Sequence, residues 1–161
     1  MVSYPVERVI GPAFVGYTDR AAFQPVQHGA SRVLTQQDVP ALEALRAACS
    51  ALEWEHGGSS FGEQPVVGVH VEGELAAVAG YEVWGEAIAN ISVITHPRHR
   101  GQGYGKTVVS RLTEEVLNQG LAPQYRTLEV NVPSMAVAQD LGFERYATTM
   151  AVRLSCDLTD S

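Results

Sequence analysis

Between the middle of the chain and its last third lies the run Thr95-His96-Pro97-Arg98-His99-Arg100-Gly101-Gln102-Gly103-Tyr104-Gly105-Lys106. Glycines at alternate positions let a backbone approach a ligand with no Cβ in the way. A helix is expected to start here, because Tyr104, Val108, Leu112 and Val116 follow at four-residue steps and share one face. The free N–H groups of a helix start converge on one point, and the helix dipole favours an anion there. Arg98, Arg100 and Lys106 add positive charge in a chain whose formal net charge is -7. The chemistry implied is the binding of phosphate groups. Two common phosphate loops do not fit. The dinucleotide pattern GxGxxG meets Lys106 or Val108 where its third glycine belongs. The nucleotide-triphosphate pattern GxxxxGK[ST] fits at Gly105-Lys106-Thr107, but has Arg100 at its first glycine and no later apolar strand ending in Asp for a magnesium ion.

The pattern that does fit is Arg-x-x-Gly-x-Gly, met by Arg100, Gly103 and Gly105. It resembles motif A of the GNAT acetyltransferases. Downstream, Asn131-Val132-Pro133-Ser134 followed by a short helix and Leu141-Gly142-Phe143 is similar to the second half of that family's signature. The resemblance covers about Ser31 to Leu154. It implies an N-acetyltransferase that moves an acetyl group from acetyl-CoA to a primary amine by direct attack. It also implies a mixed α/β fold: a mainly antiparallel central sheet, flanked by helices, with two splayed central strands. Carried onto this chain, Val93, Ile94 and Thr95 would pair with the pantetheine arm. Arg100, Gly101, Gln102, Gly103, Tyr104, Gly105 and Lys106 would hold the pyrophosphate, and Asn131 and Ser134 would meet the cofactor near its sulfur.

Attack by an amine needs a base, and often an acid for the leaving thiolate. Where much of the family has a tyrosine on the short helix, this chain has Ala138. Tyr146, Ser134 or water is then the candidate acid, unless the thiolate leaves unassisted. Candidate bases are Glu82, in the strand before the cofactor strand, and Glu129, in the strand across the splay, with Glu55 and His56 behind them. Trp54, Glu55 and His56 stand beside a glycine-rich loop and are candidates for the amine pocket. The missing acid keeps a second reading open, a non-catalytic domain that binds or senses acyl-CoA. His70, His96 and His99 show no metal spacing with one another or with Cys49 and Cys156, so no metal is expected.

The elements that must position these residues follow from pattern. Pro40 suits a first helical turn, and Leu42, Leu45, Cys49 and Leu52 make one stripe of a single helix that ends at Gly57-Gly58-Ser59-Ser60. Val67 to Val71, Leu75 to Trp84 and Ala87 to Thr95 read as three strands joined by turns at Glu72-Gly73-Glu74 and Gly85-Glu86. The Tyr104 helix closes at Gly120, a strand runs from Tyr125 to Val130, Pro133 and Ser134 open the short helix, and Tyr146 to Leu154 alternate as a last strand.

Residues 32–155 are read as the acyltransferase domain. Residues 1–31, with two short apolar pieces at Val6–Ile10 and Ala13–Tyr17, are read as an extension packing on it. The 161 residues are 45% apolar and 18% charged, which suits one domain with a real core. The acidic balance argues against a nucleic-acid partner. No apolar run is long enough to span a bilayer, no secretion signal opens the chain, and two well-separated cysteines suit a reducing compartment. A cytoplasmic protein is therefore expected, acting on a small-molecule or protein amine. A homodimer, common in the family, is compatible.

Overall fold

Seven strands pair into one sheet. A computed structural model describes residues 5–27 and 29–154. Its strands are β1 (Val6–Tyr17), β2 (Arg32–Val33), β3 (Val67–Val71), β4 (Glu74–Trp84), β5 (Ile88–Thr95), β6 (Ala122–Leu128) and β7 (Glu144–Leu154). Their order in space is β2-β3-β4-β5-β6-β1-β7. Among the described residues the β5–β6 contact is parallel and the other five are antiparallel. The helices are α1 (Val39–Ala48), α2 (Ala51–Gly57), α3 (Tyr104–Asn118) and α4 (Val132–Asp140). This is the mixed, mainly antiparallel sheet flanked by helices that the sequence implies. None of the described helices is long and apolar enough to cross a membrane.

The amphipathic stripe of α3 does what its spacing requires. Val108, Leu112 and Val116 are fully buried, with Val109, against Ala77, Ala79 and Ile91 of the sheet. Ala138, Leu141 and Phe143 join the same core from α4 and the turn after it. On the opposite face Leu42 and Leu45 of α1 pack with Val78 of β4 and Ile94 of β5. The sheet is therefore covered on both sides around β4 and β5.

Two findings depart from the sequence reading. The expected single helix after Pro40 is two helices. Ser50 accepts a hydrogen bond from the Glu53 N–H (3.1 Å), and the Glu53 carboxylate accepts one from the Ser50 N–H (3.2 Å). This reciprocal cap starts a new helix and interrupts the old one. The apolar stripe loses phase at the break, so Leu52 is 57% exposed. The Ser-x-x-Glu spacing was in the sequence and was the available signal. Second, residues 6–17 form one long strand inside the sheet. It pairs antiparallel with β6 through Ala13–Tyr17 and with β7 through Val6–Tyr17, with irregularities between Val6 and Arg8, Ile10 and Ala13, and Val15 and Gly16. Residues 1–4, Ser155 and Cys156 lie outside the described residues. Cys49 is a free thiol, and its partial burial pushes its pKa up.

An ion pair between the buried Asp38 and the half-exposed Arg32 fixes the entry to α1. Asp38 receives both guanidinium arms of Arg32 (2.7 and 2.8 Å) and the Thr35 N–H (2.8 Å). These donors, Arg32 first, hold the Asp38 carboxyl well below the usual carboxylate range. A depressed carboxyl stabilises the fold above its unfolded pKa of about 3.9 and ceases to do so as pH falls toward its folded value. Asp38→Asn should therefore cost about 1.5–3 kcal/mol near pH 6, and the gap to the unsubstituted protein should narrow as pH is lowered through 4. Urea unfolding at each pH measures it, and a gap independent of pH would refute the assignment.

Candidate functional site

The geometry of the site follows from where β5 and β6 stop pairing. Their ladder holds only from Ile88 opposite Ala122 to Ile91 opposite Tyr125. β5 continues to Thr95 on β4, and β6 continues to Leu128 on β1. A gap therefore opens between Ser92–Thr95 and Arg126–Leu128. The His96 N–H donates to Ala76 O (2.7 Å) on the β4 side. In an antiparallel ladder such bonds fall on alternate residues. Ile94 thus turns its backbone groups to β4, while Val93 and Thr95 turn theirs into the gap. Of the three residues expected to offer backbone groups, two are placed to do so.

At the far end of β5 the chain makes a tight turn at Pro97–His99 and enters α3 through Gly103. Gly103 has φ 86°, a left-handed conformation that suits glycine, and a Cβ there would meet open space. Within the described residues, the N–H groups of Gly103, Tyr104, Gly105 and Lys106 find no acceptor. The first inward bond is from Thr107 N–H to the Gly103 carbonyl (3.1 Å). Four amides thus stand without an acceptor at the positive end of a 15-residue helix.

The loop's cations are all engaged. Arg98 pairs with Glu74 (3.3 Å), Arg100 with Glu53 (3.0 Å) and Lys106 with Asp140 (2.6 Å). Arg100 also donates to the Thr95 carbonyl (3.3 Å), which ties the loop to the end of β5. His96 and His99, remote from any metal spacing in sequence, meet Glu74, with candidate ligand atoms within 4.8 Å of one another. Their hydrogen bonds argue against a cation. His96 Nδ1 accepts the Arg98 N–H (3.0 Å), so the proton of the neutral ring sits on Nε2, which faces Glu74. His99 Nε2 lies 2.8 Å from Glu74 Oε1. That hydrogen bond, helped by Arg98 and His96, holds the Glu74 carboxyl below its ordinary pKa. Glu74 is thus an anchor that gathers the loop onto the start of β4.

Across the gap, the Asn131 side chain accepts the Ser134 N–H (3.2 Å) and caps α4. The Ser134 hydroxyl shares a 2.7 Å hydrogen bond with Tyr125 OH. Tyr125 is buried at the last paired position before the gap, and burial pushes its pKa up to about 12. Sequence reading missed it, because Tyr125 looked like an ordinary strand residue. Ala138 lies fully buried in the main core.

The candidate catalytic residues separate. Glu129 is ion-paired with Arg145, and its N–H donates to Pro12 O (3.0 Å), on the side of β1 and β7 away from β5. Glu82 is exposed on β4 in register with Asn90 of β5, and its carboxylate accepts Trp84 Nε1–H (3.4 Å). Tyr146 is 77% exposed on β7, its ring edge-on to Tyr17 with centroids 5.3 Å apart. Two strands, β1 and β6, lie between it and the gap. Trp54 packs under Arg46, while Glu55 and His56 are exposed at the end of α2. That end touches β5: a Cβ on Gly57 would lie 2.3 Å from the Val93 carbonyl oxygen. A surface pocket of about 440 Å³ lies at the other end of α3, lined by residues including Tyr81, Val83 and Gln119, and shares nothing with the loop.

With this geometry in view, comparison with known proteins identifies the class. The GNAT acetyltransferase family model matches residues 65–151, from just before β3 into β7. The chain belongs to that family. A GNAT-family protein from Novosphingobium aromaticivorans superposes with a TM-score of 0.71 at 24% identity, over 94% of this chain and 68% of that one. A GNAT acetyltransferase from Colwellia psychrerythraea gives 0.71 at 17% identity, over 93% of this chain and 58% of that one. This chain thus spans about three fifths to two thirds of the length of these two neighbours. A Salmonella typhimurium protein solved with its cofactor acetyl-CoA gives 0.60 at 19% identity, over 73% of this chain and 80% of that one. At these identities the likeness is one of fold. Among curated proteins none matches this chain in sequence.

The Tyr125–Ser134 bond holds β6 to α4 beside the gap. Removing the Ser134 hydroxyl leaves a buried phenol unpaired, so Ser134→Ala should cost about 1–3 kcal/mol. Adding Tyr125→Phe should then cost less than it does alone. A double-mutant cycle by denaturant unfolding should give a coupling of about 1 kcal/mol; additive losses would mean the two groups do not interact.

Proposed function

We propose that this protein is an N-acetyltransferase whose acetyl donor, acetyl-CoA, lies in the gap between β5 and β6 with its diphosphate on the start of α3. The observation that carries this reading is the alignment of two features. The four unpartnered amides of Gly103–Lys106 stand at one end of β5, and the gap-facing backbone of Thr95 and Val93 leads away from them. The amides fit a diphosphate, which needs convergent N–H donors and positive potential. Gly101, Gln102 and Gly103 shape the turn around it, and Arg100 and Lys106 exchange their carboxylate partners for phosphate oxygens. The gap-facing backbone fits the amide groups of a pantetheine arm. Asn131 and Ser134, at the start of α4, border the opposite wall.

The acceptor amine, once neutral, attacks the thioester carbonyl. With acetyl-CoA bound, a backbone N–H facing the gap would stabilise the oxyanion, and the CoA thiolate would be the leaving group. For the base we favour Glu82, because its carboxylate is accessible whereas Glu129 is held by Arg145. Glu55 and His56 sit at the tip of α2 and are better placed to line the entrance with Trp54. For the acid, Ser134 borders the gap and is hydrogen-bonded to Tyr125; Tyr146 stands too far along the sheet to serve the thiolate. The burial of Ala138 where much of the family has a tyrosine favours one competing reading, a domain that binds acyl-CoA without turning it over. Acetyl-CoA binding with no thiol release on any amine would favour that competitor.

Two measurements test the proposal. Asn and Asp both tolerate the left-handed backbone of Gly103 and differ there by one charge. Gly103→Asp should bind acetyl-CoA at least tenfold more weakly than Gly103→Asn at low ionic strength, with the difference shrinking as salt rises. Equal affinities in calorimetric titration would remove the diphosphate from this loop. In thiol-release assays Glu82→Gln should lower kcat at least tenfold with acetyl-CoA affinity unchanged, while Glu129→Gln changes kcat less than threefold; the reverse ranking would exchange their roles.

A further inference from the structure

The segment Gly57-Gly58-Ser59, at the exit of α2, forms a strap across the sheet where β5 and β6 part. Its contacts there depend on small side chains. Gly57 is buried, and a Cβ on it would lie 2.3 Å from the Val93 carbonyl oxygen and 3.5 Å from Ile94 Cβ. Ser59 sits on Gly80 of β4, where a Cβ would come within 2.6 Å of Ser59 Oγ and 2.8 Å of Ser59 Cβ. The Ser59 hydroxyl also shares a 3.3 Å hydrogen bond with the Ser92 hydroxyl. Ser92 is opposite Gly80 in the β4–β5 ladder. It is also the first residue of β5 beyond Ile91 and Tyr125, the last pair before the gap. The strap therefore touches β4, one face of β5, and the edge of β5 that borders the gap.

The two faces at this vertex differ. Side chains alternate along β5, so Ser92 shares a face with Ile94, which packs with Leu42 and Leu45 of α1. Ile91 and Tyr125 belong to the core on the other face and are 4% and 2% exposed. Protein interiors are close-packed, so a group at the vertex finds no room on that side. On the Ser92 face it meets the strap, whose Ser59 is half-buried like Ser92 itself. The wall on this side is a pair of hydroxyls. An arm that starts on the α3 amides and follows the gap-facing backbone of Thr95 and Val93 ends at this vertex. From Thr95 to Ile91 the strand runs about 13 Å, a distance that an extended pantetheine arm spans.

We propose that the Gly57–Ser59 strap, with Ser92 beneath it, is an acyl-chain stop that selects acetyl-CoA over longer acyl-CoA donors. The proposal rests on the acetyltransferase reading above and names its donor class. The methyl of an acetyl group ends against the Ser59–Ser92 pair. A longer chain must either displace that pair, which breaks its hydrogen bond and overpacks the vertex, or turn back along the gap. The hydroxyls offer it no apolar surface in return.

Calorimetric titration with free CoA, acetyl-CoA and butyryl-CoA tests the stop without turnover. Free CoA ends short of the strap and is the reference for every comparison. The unsubstituted protein should bind butyryl-CoA at least tenfold more weakly than acetyl-CoA. Ser59→Gly, which removes the hydroxymethyl group from the wall, should bring butyryl-CoA to within threefold of acetyl-CoA. Ser92→Val suits a strand and adds bulk beneath the strap. It should weaken acetyl-CoA at least fivefold relative to free CoA. Equal affinities for acetyl-CoA and butyryl-CoA in the unsubstituted protein overturn the stop, whatever the variants do. So does a folded Ser59→Gly protein that keeps the original preference. In both cases binding of free CoA would leave the acetyltransferase reading standing. Failure of the unsubstituted protein to bind free CoA would remove that reading, and the stop with it.

Discussion

A β-strand that loses one partner exposes a row of backbone N–H and C=O groups, and that exposure is the constraint around which this molecule is organised. β5 and β6 separate after Ile91 and Tyr125, yet neither is left without support. β5 is held to Thr95 by β4, and β6 is held to Leu128 by β1. Each strand keeps its outer ladder while its inner edge opens. The long first strand is thus part of what makes a gap possible. Without β1, β6 would be flanked by the gap on one side and nothing on the other over Arg126–Leu128. The Tyr125–Ser134 bond and the close seat of Gly57 on Val93 bound the gap from opposite walls.

Electrostatics then decides what kind of group can enter. The chain is acidic overall, but the turn between β5 and α3 concentrates Arg98, Arg100, Lys106 and the helix amides. In this structure acidic residues from three separate elements, Glu53, Glu74 and Asp140, occupy the cations. Such partly exposed pairs contribute little to stability and can exchange partners at small cost. Glu74 differs from the other two, because it also holds the ring of a buried histidine, His99. It fixes the shape of the turn, whereas Glu53 and Asp140 keep charged side chains in place around it. The loop is therefore preorganised in backbone and replaceable in its side-chain contacts, which suits an anion-binding site.

The two faces of the sheet divide the labour. The α3 and α4 face is a dry core in which Val108, Leu112 and Ala138 leave no exposed surface. The α1 and α2 face carries apolar packing near β3 and β4, but turns polar from Glu82 to Tyr17. Glu82 and Glu129 looked equivalent in sequence, each a carboxylate in a strand beside the expected splay. The sheet separates them, placing Glu129 against Arg145 of β7 and Glu82 in register with Asn90 of β5.

Local pattern determined much of this protein. The glycine turn and the α3 stripe, the strands from Val67 to Thr95, and the short helix opened by Pro133 and Ser134 were legible because each depends on residues close together in the chain. The break at Ser50 was legible too, through its Ser-x-x-Glu cap, although the longer apolar stripe hid it. The interior position of β1, the gathering of His96, His99 and Arg98 on Glu74, the pairing of Tyr125 with Ser134, and the alignment of Glu82, Asn90, Gln124 and Tyr17 were not. Strand order and register bring these residues together across separations as long as 107 positions, the distance between Tyr17 and Gln124. Composition and spacing can mark a glycine loop leading into a helix start, because both are local features of the chain. A register across four strands has no local signature, and only the packed sheet creates it.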